Sequence, residues 1–194
     1  MGDKLGRALR LYIDAGHGGN DPGVVGPGGL KESALTVDVA GRLAAMAMAS
    51  GWDVQLSRSG SEGMSLASRA VAANTWGADL FVSIHGNGAA NDRARGFEVW
   101  TSPGQTGSDE VAEVLAETWR DSFPVDVMRC DMTDGDLDKE SPFYVLVHTR
   151  CRAVLVEVGF VSNPESEKLL ATAIHRAAIA RALCDGLNAW RDSR

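Results

Sequence analysis

Four polar residues stand where this chain could do chemistry. His17 lies in the glycine run AGHGGNDPG, Glu32 in GGLKES, His85 at the end of the apolar run LFVSI, and Glu157 inside AVLVEV. Two imidazoles and one carboxylate form a donor set suited to hydrolytic zinc, leaving one position of a tetrahedral ion for water. Zinc lowers the pKa of such a water to about 7. A further carboxylate that does not bind the metal can then take the proton and pass it on. Glu157 suits that part, because a charge within the most apolar strand needs a partner to justify its burial. The ligands would come from separate elements, since the helix-borne H-E-x-x-H arrangement is absent.

Each residue also has an ordinary reading. A histidine after a glycine turn can be structural or simply exposed. Glu32 can be a solvated carboxylate favoured by a helix N-terminus. Glu157 can be an ion-paired core residue, with Arg58 or Arg69 as partner. Spacing alone leaves these alternatives open. His148, before a basic turn, and His175, on a helix face expected to be exposed, are not read as ligands.

The elements that must position these groups alternate between short apolar runs and helix-period segments, the pattern of an α/β sandwich. Strands are expected over 9–14, 53–57, 79–85 and 153–158, with 96–101 as an edge strand. Helices are expected over 33–48, 66–76 and 108–122. A closing helical stretch over 164–190 would carry Ile174, Ala178, Leu183, Leu187 and Trp190 on one face. The polar, acidic stretch 123–141 reads as a loop. In such folds the carboxyl ends of the strands border the ligand crevice, and His17 and His85 fall there.

At 194 residues, the chain fits one domain over 1–194, with its core over about 9–190. A net charge of -7 argues against a nucleic-acid surface. No apolar run reaches membrane-spanning length, so no membrane insertion is expected. The start, MGDKLGRALR, lacks the apolar stretch of a signal peptide. Cys130, Cys151 and Cys184 show no metal-type pairing and read as free thiols made in a reducing compartment. A monomer is the simplest expectation.

Three blocks, IDAGHGGNDPGVVGPGGLKES, SIHGN and LVEVGFVSNPESEKLL, resemble in order and spacing those of the amidase-3 family, zinc-dependent N-acetylmuramoyl-L-alanine amidases of autolysins, cell-separation enzymes and phage endolysins. The segment LSRSGSEGMSLASRAVAANTWGADLF is similar as well, so the resemblance spans about residues 9–190. It implies one zinc ion on His17, Glu32 and His85, and Glu157 as the catalytic glutamate. It also implies a three-layer domain with a mixed, mainly parallel sheet of about six strands flanked by helices. The implied substrate is peptidoglycan, cut between the lactyl group of N-acetylmuramic acid and L-alanine.

Two small departures leave the ligands untouched: Gly86 stands where the family usually has Ala, and Ala15 where Pro is common. The family's periplasmic cell-division members carry a long helical insertion that blocks the zinc. Here, the region between Thr101 and Ala153 has room for one ordinary helix and the acidic loop, so no built-in autoinhibition is expected. The rival readings are a zinc peptidase or carboxypeptidase acting on wall peptides, and a wall-binding module that has lost catalysis. A substrate outside the cytoplasmic membrane with no visible export signal implies phage-type release or a catalytic domain excised from an exported protein.

Overall fold

A computed structural model describes residues 7–133 and 135–194. The expectation about the chain's first residues, and Asp134 of the acidic stretch, lie outside the described residues. In chain order the elements are β1 (Arg10–Ala15), α1 (Glu32–Ala49), β2 (Asp53–Leu56), α2 (Leu66–Trp76), β3 (Leu80–Asn87), β4 (Glu98–Thr101), α3 (Asp109–Ser122), β5 (Lys139–Glu140), α4 (Tyr144–His148), β6 (Arg152–Phe160), α5 (Pro164–Leu170) and α6 (Ala173–Asp192). They form one six-stranded sheet in the order β2-β1-β3-β6-β4-β5. Every pairing is parallel except β4 with β6.

Strand alternation sorts the side chains into two layers. Leu11, Ile13, Leu80, Val82, Ile84, Val154, Val156 and Val158 point into the larger core beneath α1, α3 and α6. Tyr12, Phe81, Ala153 and Leu155 point the other way, into a smaller core capped by α2 and α4. Asp14, His85 and Glu157 continue this second row, two residues beyond Tyr12, beyond Ser83 and beyond Leu155. The same alternation that fills both cores therefore delivers the polar groups to one face, at the carboxyl ends of the three central strands.

Three expectations need correction. Residues 96–101 do not form the edge: β4 lies between β6 and the two-residue β5, and Phe97 bridges to Met128. The stretch 123–141 is thus not only a loop, since it supplies that edge. The closing helix is two helices, restarted by Thr172, whose side chain accepts from His175 N–H, after Asn163 has capped α5 in the same way. Ile174 and Ala178 are exposed, and the buried stripe of α6 runs through Ile179, Leu183, Leu187 and Trp190. At 3.6 residues per turn, Ile174 stands about 180° around the helix from Leu183.

Candidate active site

His17 takes its place through backbone strain. It adopts φ 61°, the left-handed region, which is uncommon for non-glycine residues and clusters at functional sites. Two buried guanidiniums hold the loop in that shape. Arg69 donates to Asp14 Oδ1, to the carbonyls of Ala15 and His17, and to that of Met64. Arg58 donates to the carbonyls of Ala15, Gly16, Ser33 and Gly60, and to Thr36 Oγ1. Neither arginine is therefore the partner of Glu157; that alternative falls.

Glu32 opens α1 but is no solvated carboxylate, being 2% exposed. Val24 N–H donates to its Oε2 and Gly86 N–H to its Oε1, at 2.9 and 3.0 Å. Oε1 also lies 3.0 Å from His17 Nε2 and 3.0 Å from His85 Nδ1. One donor atom from each of the three residues falls within 4.8 Å of the others. Gly16 and Gly23 permit this convergence. A Cβ on Gly16 would strike the His85 ring, and one on Gly23 would meet Glu32 Oε2 at 2.5 Å and His17 Cδ2 at 2.7 Å.

The electrostatics suit a cation. Burial works against ionised Glu32, yet hydrogen bonds from His17, His85 and the Gly86 N–H hold its carboxyl well below the usual range. Burial likewise opposes the His17 imidazolium, but Glu32 and Asp21 outweigh it and raise the pKa. A metal ion would take the place of the protons now shared between Glu32 and the two rings. His17 Nδ1–H donates to Asp21 Oδ2 at 2.7 Å, which turns Nε2 inward. A carboxylate behind a ligating histidine is a recurrent feature of metal sites. Three mixed N and O donors with this orientation fit zinc.

Glu157 is the register partner of His85 on β6. Burial, with Glu32 and Glu98 nearby, pushes its carboxyl well above the ordinary carboxylate range, and its Oε2 has no hydrogen-bond partner. Glu98, its neighbour on β4, was not singled out from the sequence. It is held by Asn87, Trp100, Arg129 and Lys139. Two other features also escaped the sequence reading: Asp21 and the apolar wall of the cleft. The cleft has a volume of about 530 Å³, and Met64, Leu66, Phe143, Tyr144 and Leu155 line it together with His17, His85 and Glu157. His148 stacks on Tyr144 and His175 packs edge-on to Phe123; neither joins the His–Glu–His group.

The amidase-3 family model, described as N-acetylmuramoyl-L-alanine amidase, matches residues 11–189. The chain belongs to this amidase family. The amidase AmiA of Escherichia coli K12 is 32% identical over 95% of this chain and 76% of that protein. The amidase CwlM of Bacillus licheniformis is 35% identical over 92% of this chain and 67% of its own length. Among solved structures, the amidase AmiC2 of Nostoc punctiforme superposes with a TM-score of 0.88 at 29% identity, covering 96% of this chain and 99% of that one. An amidase from Clostridium difficile 630 gives 0.85 at 31%, covering 97% and 100%. This amidase is thus a peptidoglycan hydrolase, and the six-stranded mixed sheet is the fold of such catalytic domains.

Proposed function

We propose that this amidase is zinc-dependent, with His17, Glu32 and His85 as the metal ligands and Glu157 as the proton carrier. The observation that carries the reading is the pairing of His85 with Glu157 across β3 and β6, beside three donor atoms within 4.8 Å of one another. Zinc bound there would act as a Lewis acid on the scissile carbonyl and make water acidic enough to give up a proton near neutral pH. Glu157, the register partner of His85, takes that proton. It then passes the proton to the departing nitrogen of L-alanine as the carbon–nitrogen bond breaks, leaving a free lactyl carboxyl and a new amine. Phe143, Tyr144 and Met64 give the stem peptide an apolar wall along the cleft.

The deciding experiment is digestion of intact sacculi with Glu157→Gln. The expected result is a protein with a full zinc complement that releases no new L-alanine amines. Retained activity would overturn the assignment. Release of C-terminal amino acids by the parent enzyme would point instead to a carboxypeptidase.

The enzyme also works without a built-in plug. His17 and His85 keep 24% and 20% of their side-chain surface exposed. The alignment with AmiA runs over 221 residues, more than the whole of this chain, so that relative carries a stretch absent here. The purified chain should digest sacculi with no activator added; dependence on one would refute this. Among the described residues no helix is long and apolar enough to cross a membrane, and the place of action is the cell wall.

A further inference from the structure

Away from the reaction centre, the loop after β4 meets the acidic segment before β5. Asp136 and Asp138 come together there, 8% and 2% exposed. Their carboxyls are within hydrogen-bonding reach of each other, and burial together with the charges of Asp136 and Asp109 pushes Asp138 up to about 7. Thr101 Oγ1 donates to Asp138 Oδ2 at 2.6 Å, and Gln105 Nε2 donates to Asp136 Oδ2 at 3.0 Å. The remaining oxygen of each aspartate, Oδ1 in both, is buried with no hydrogen-bond partner. Two buried carboxylates in contact, each with an unsatisfied oxygen, need either a shared proton or a cation between them.

We propose that Asp136 and Asp138, with the Thr101 hydroxyl and the Gln105 amide oxygen, form a binding site for a hard divalent cation of the calcium class. All the donors are oxygens, which selects calcium or magnesium over zinc. Gln105, Asp136 and Asp138 stand on irregular loop backbone and Thr101 at the end of β4, which suits the flexible coordination of calcium better than the strict octahedron of magnesium. The Gln105 amide joins by exchanging its N and O positions, a rotation that leaves its shape unchanged. The site has a mechanical consequence. Asp138 adjoins Lys139, whose Nζ bonds Glu98 beside Glu157, and Ser141 N–H then pairs with the Thr101 carbonyl just before the cleft residues Phe143 and Tyr144. A cation here would brace the strip of chain that runs from β5 to the cleft wall.

The test is made on the full chain with its zinc complement in place, titrated with calcium chloride and, separately, with terbium. Calcium should bind saturably, with a Kd on the order of 10⁻⁴ to 10⁻³ M, and raise the melting temperature. Terbium should show tryptophan-sensitised emission through Trp100, next to Thr101, and calcium should displace it. Asp136→Asn and Asp138→Asn should each weaken binding about tenfold or more while the zinc content stays unchanged. If the parent chain gives no saturable terbium signal, or both Asn variants bind as tightly as the parent, the proposal is wrong. A melting temperature that ignores calcium and rises on mild acidification would show that a shared proton holds the pair instead. Should either variant fold poorly, the calcium–terbium competition on the parent chain and Gln105→Ala decide the matter.

Discussion

His85 and Glu157 are register partners on adjacent parallel strands and project from the same face of the sheet. This pairing sets the imidazole proposed as a zinc ligand beside a carboxyl of raised proton affinity without help from any loop. Adjacent strands run about 4.8 Å apart, so the spacing between the two backbones is a property of the sheet itself. The other parts of the site, the His17 loop and the mouth of α1, are brought to this pair and pinned there by Arg58, Arg69 and the N–H groups that hold Glu32.

Asp21 orients His17 from the solvent side, with its side chain 64% exposed. Asp21→Ala should weaken zinc binding about 10- to 100-fold, measured by competition with a chelator. The melting temperature of the zinc-free protein should hardly change. A large loss of stability with unaltered zinc affinity would mean that Asp21 serves the loop and not the ligand.

Gly16 leaves room for the His85 ring, and its φ is not in the left-handed region. Gly16→Ala should therefore act through overlap alone. The ring must swing away, at a cost of about 1–3 kcal/mol, and zinc should be lost along with stability. Metal analysis and thermal melting of the same preparation check this.

Arg69 is 3% exposed and its partner Asp14 1% exposed. Arg69→Met would strand a buried carboxylate and three carbonyls, lowering stability by about 3–5 kcal/mol in urea unfolding. Arg69→Lys should rescue little, because an ammonium cannot reproduce the forked geometry that serves four acceptors.

Asp138 offers a prediction in pH. Its folded value of about 7 lies above the ordinary 3.8, so between those limits the folded state binds more protons than the unfolded one. Stability must then fall as pH rises through that window. With calcium chelated, Asp138→Asn should match the parent near pH 4 and grow progressively more stable than it towards pH 7, as read by urea melts at stepped pH. A constant difference across the range would contradict the raised value.

Much of this was legible in the chain. Period-2 alternation in LFVSIH and AVLVEV places Phe81 with His85 and Leu155 with Glu157 on one face, and those runs read as strands because both of their faces are buried. The grouping of His17, Glu32 and His85 was suggested by residue types at strand ends and a helix mouth, and by the family blocks, and the fold brings their donor atoms together. The misreadings share a cause, which is dependence on partners distant in sequence. β4 reads as an edge because β5, of two residues, has no periodicity to detect. Glu98 passes for an ordinary polar position because Arg129 and Lys139, which hold it, come from a stretch with no pattern of its own. Ile174 looked buried because a helical period was drawn through the break at Thr172, where α6 begins afresh.

Part of the cleft's apolar wall, Phe143 and Tyr144, hangs on a support separate from the His17 and Glu32 pieces. Phe143 and Tyr144 stand at the start of the five-residue α4, which packs on the smaller core, whereas His17 and Glu32 are fastened to β1 and α1 over the larger one. The piece of chain between β5 and β6 is therefore a natural unit for transplantation. Exchanged with its counterpart from a relative, it would alter which stem peptides fit and leave the hydrolytic machinery in place, giving the scaffold a way to diversify in diet while its chemistry stays fixed.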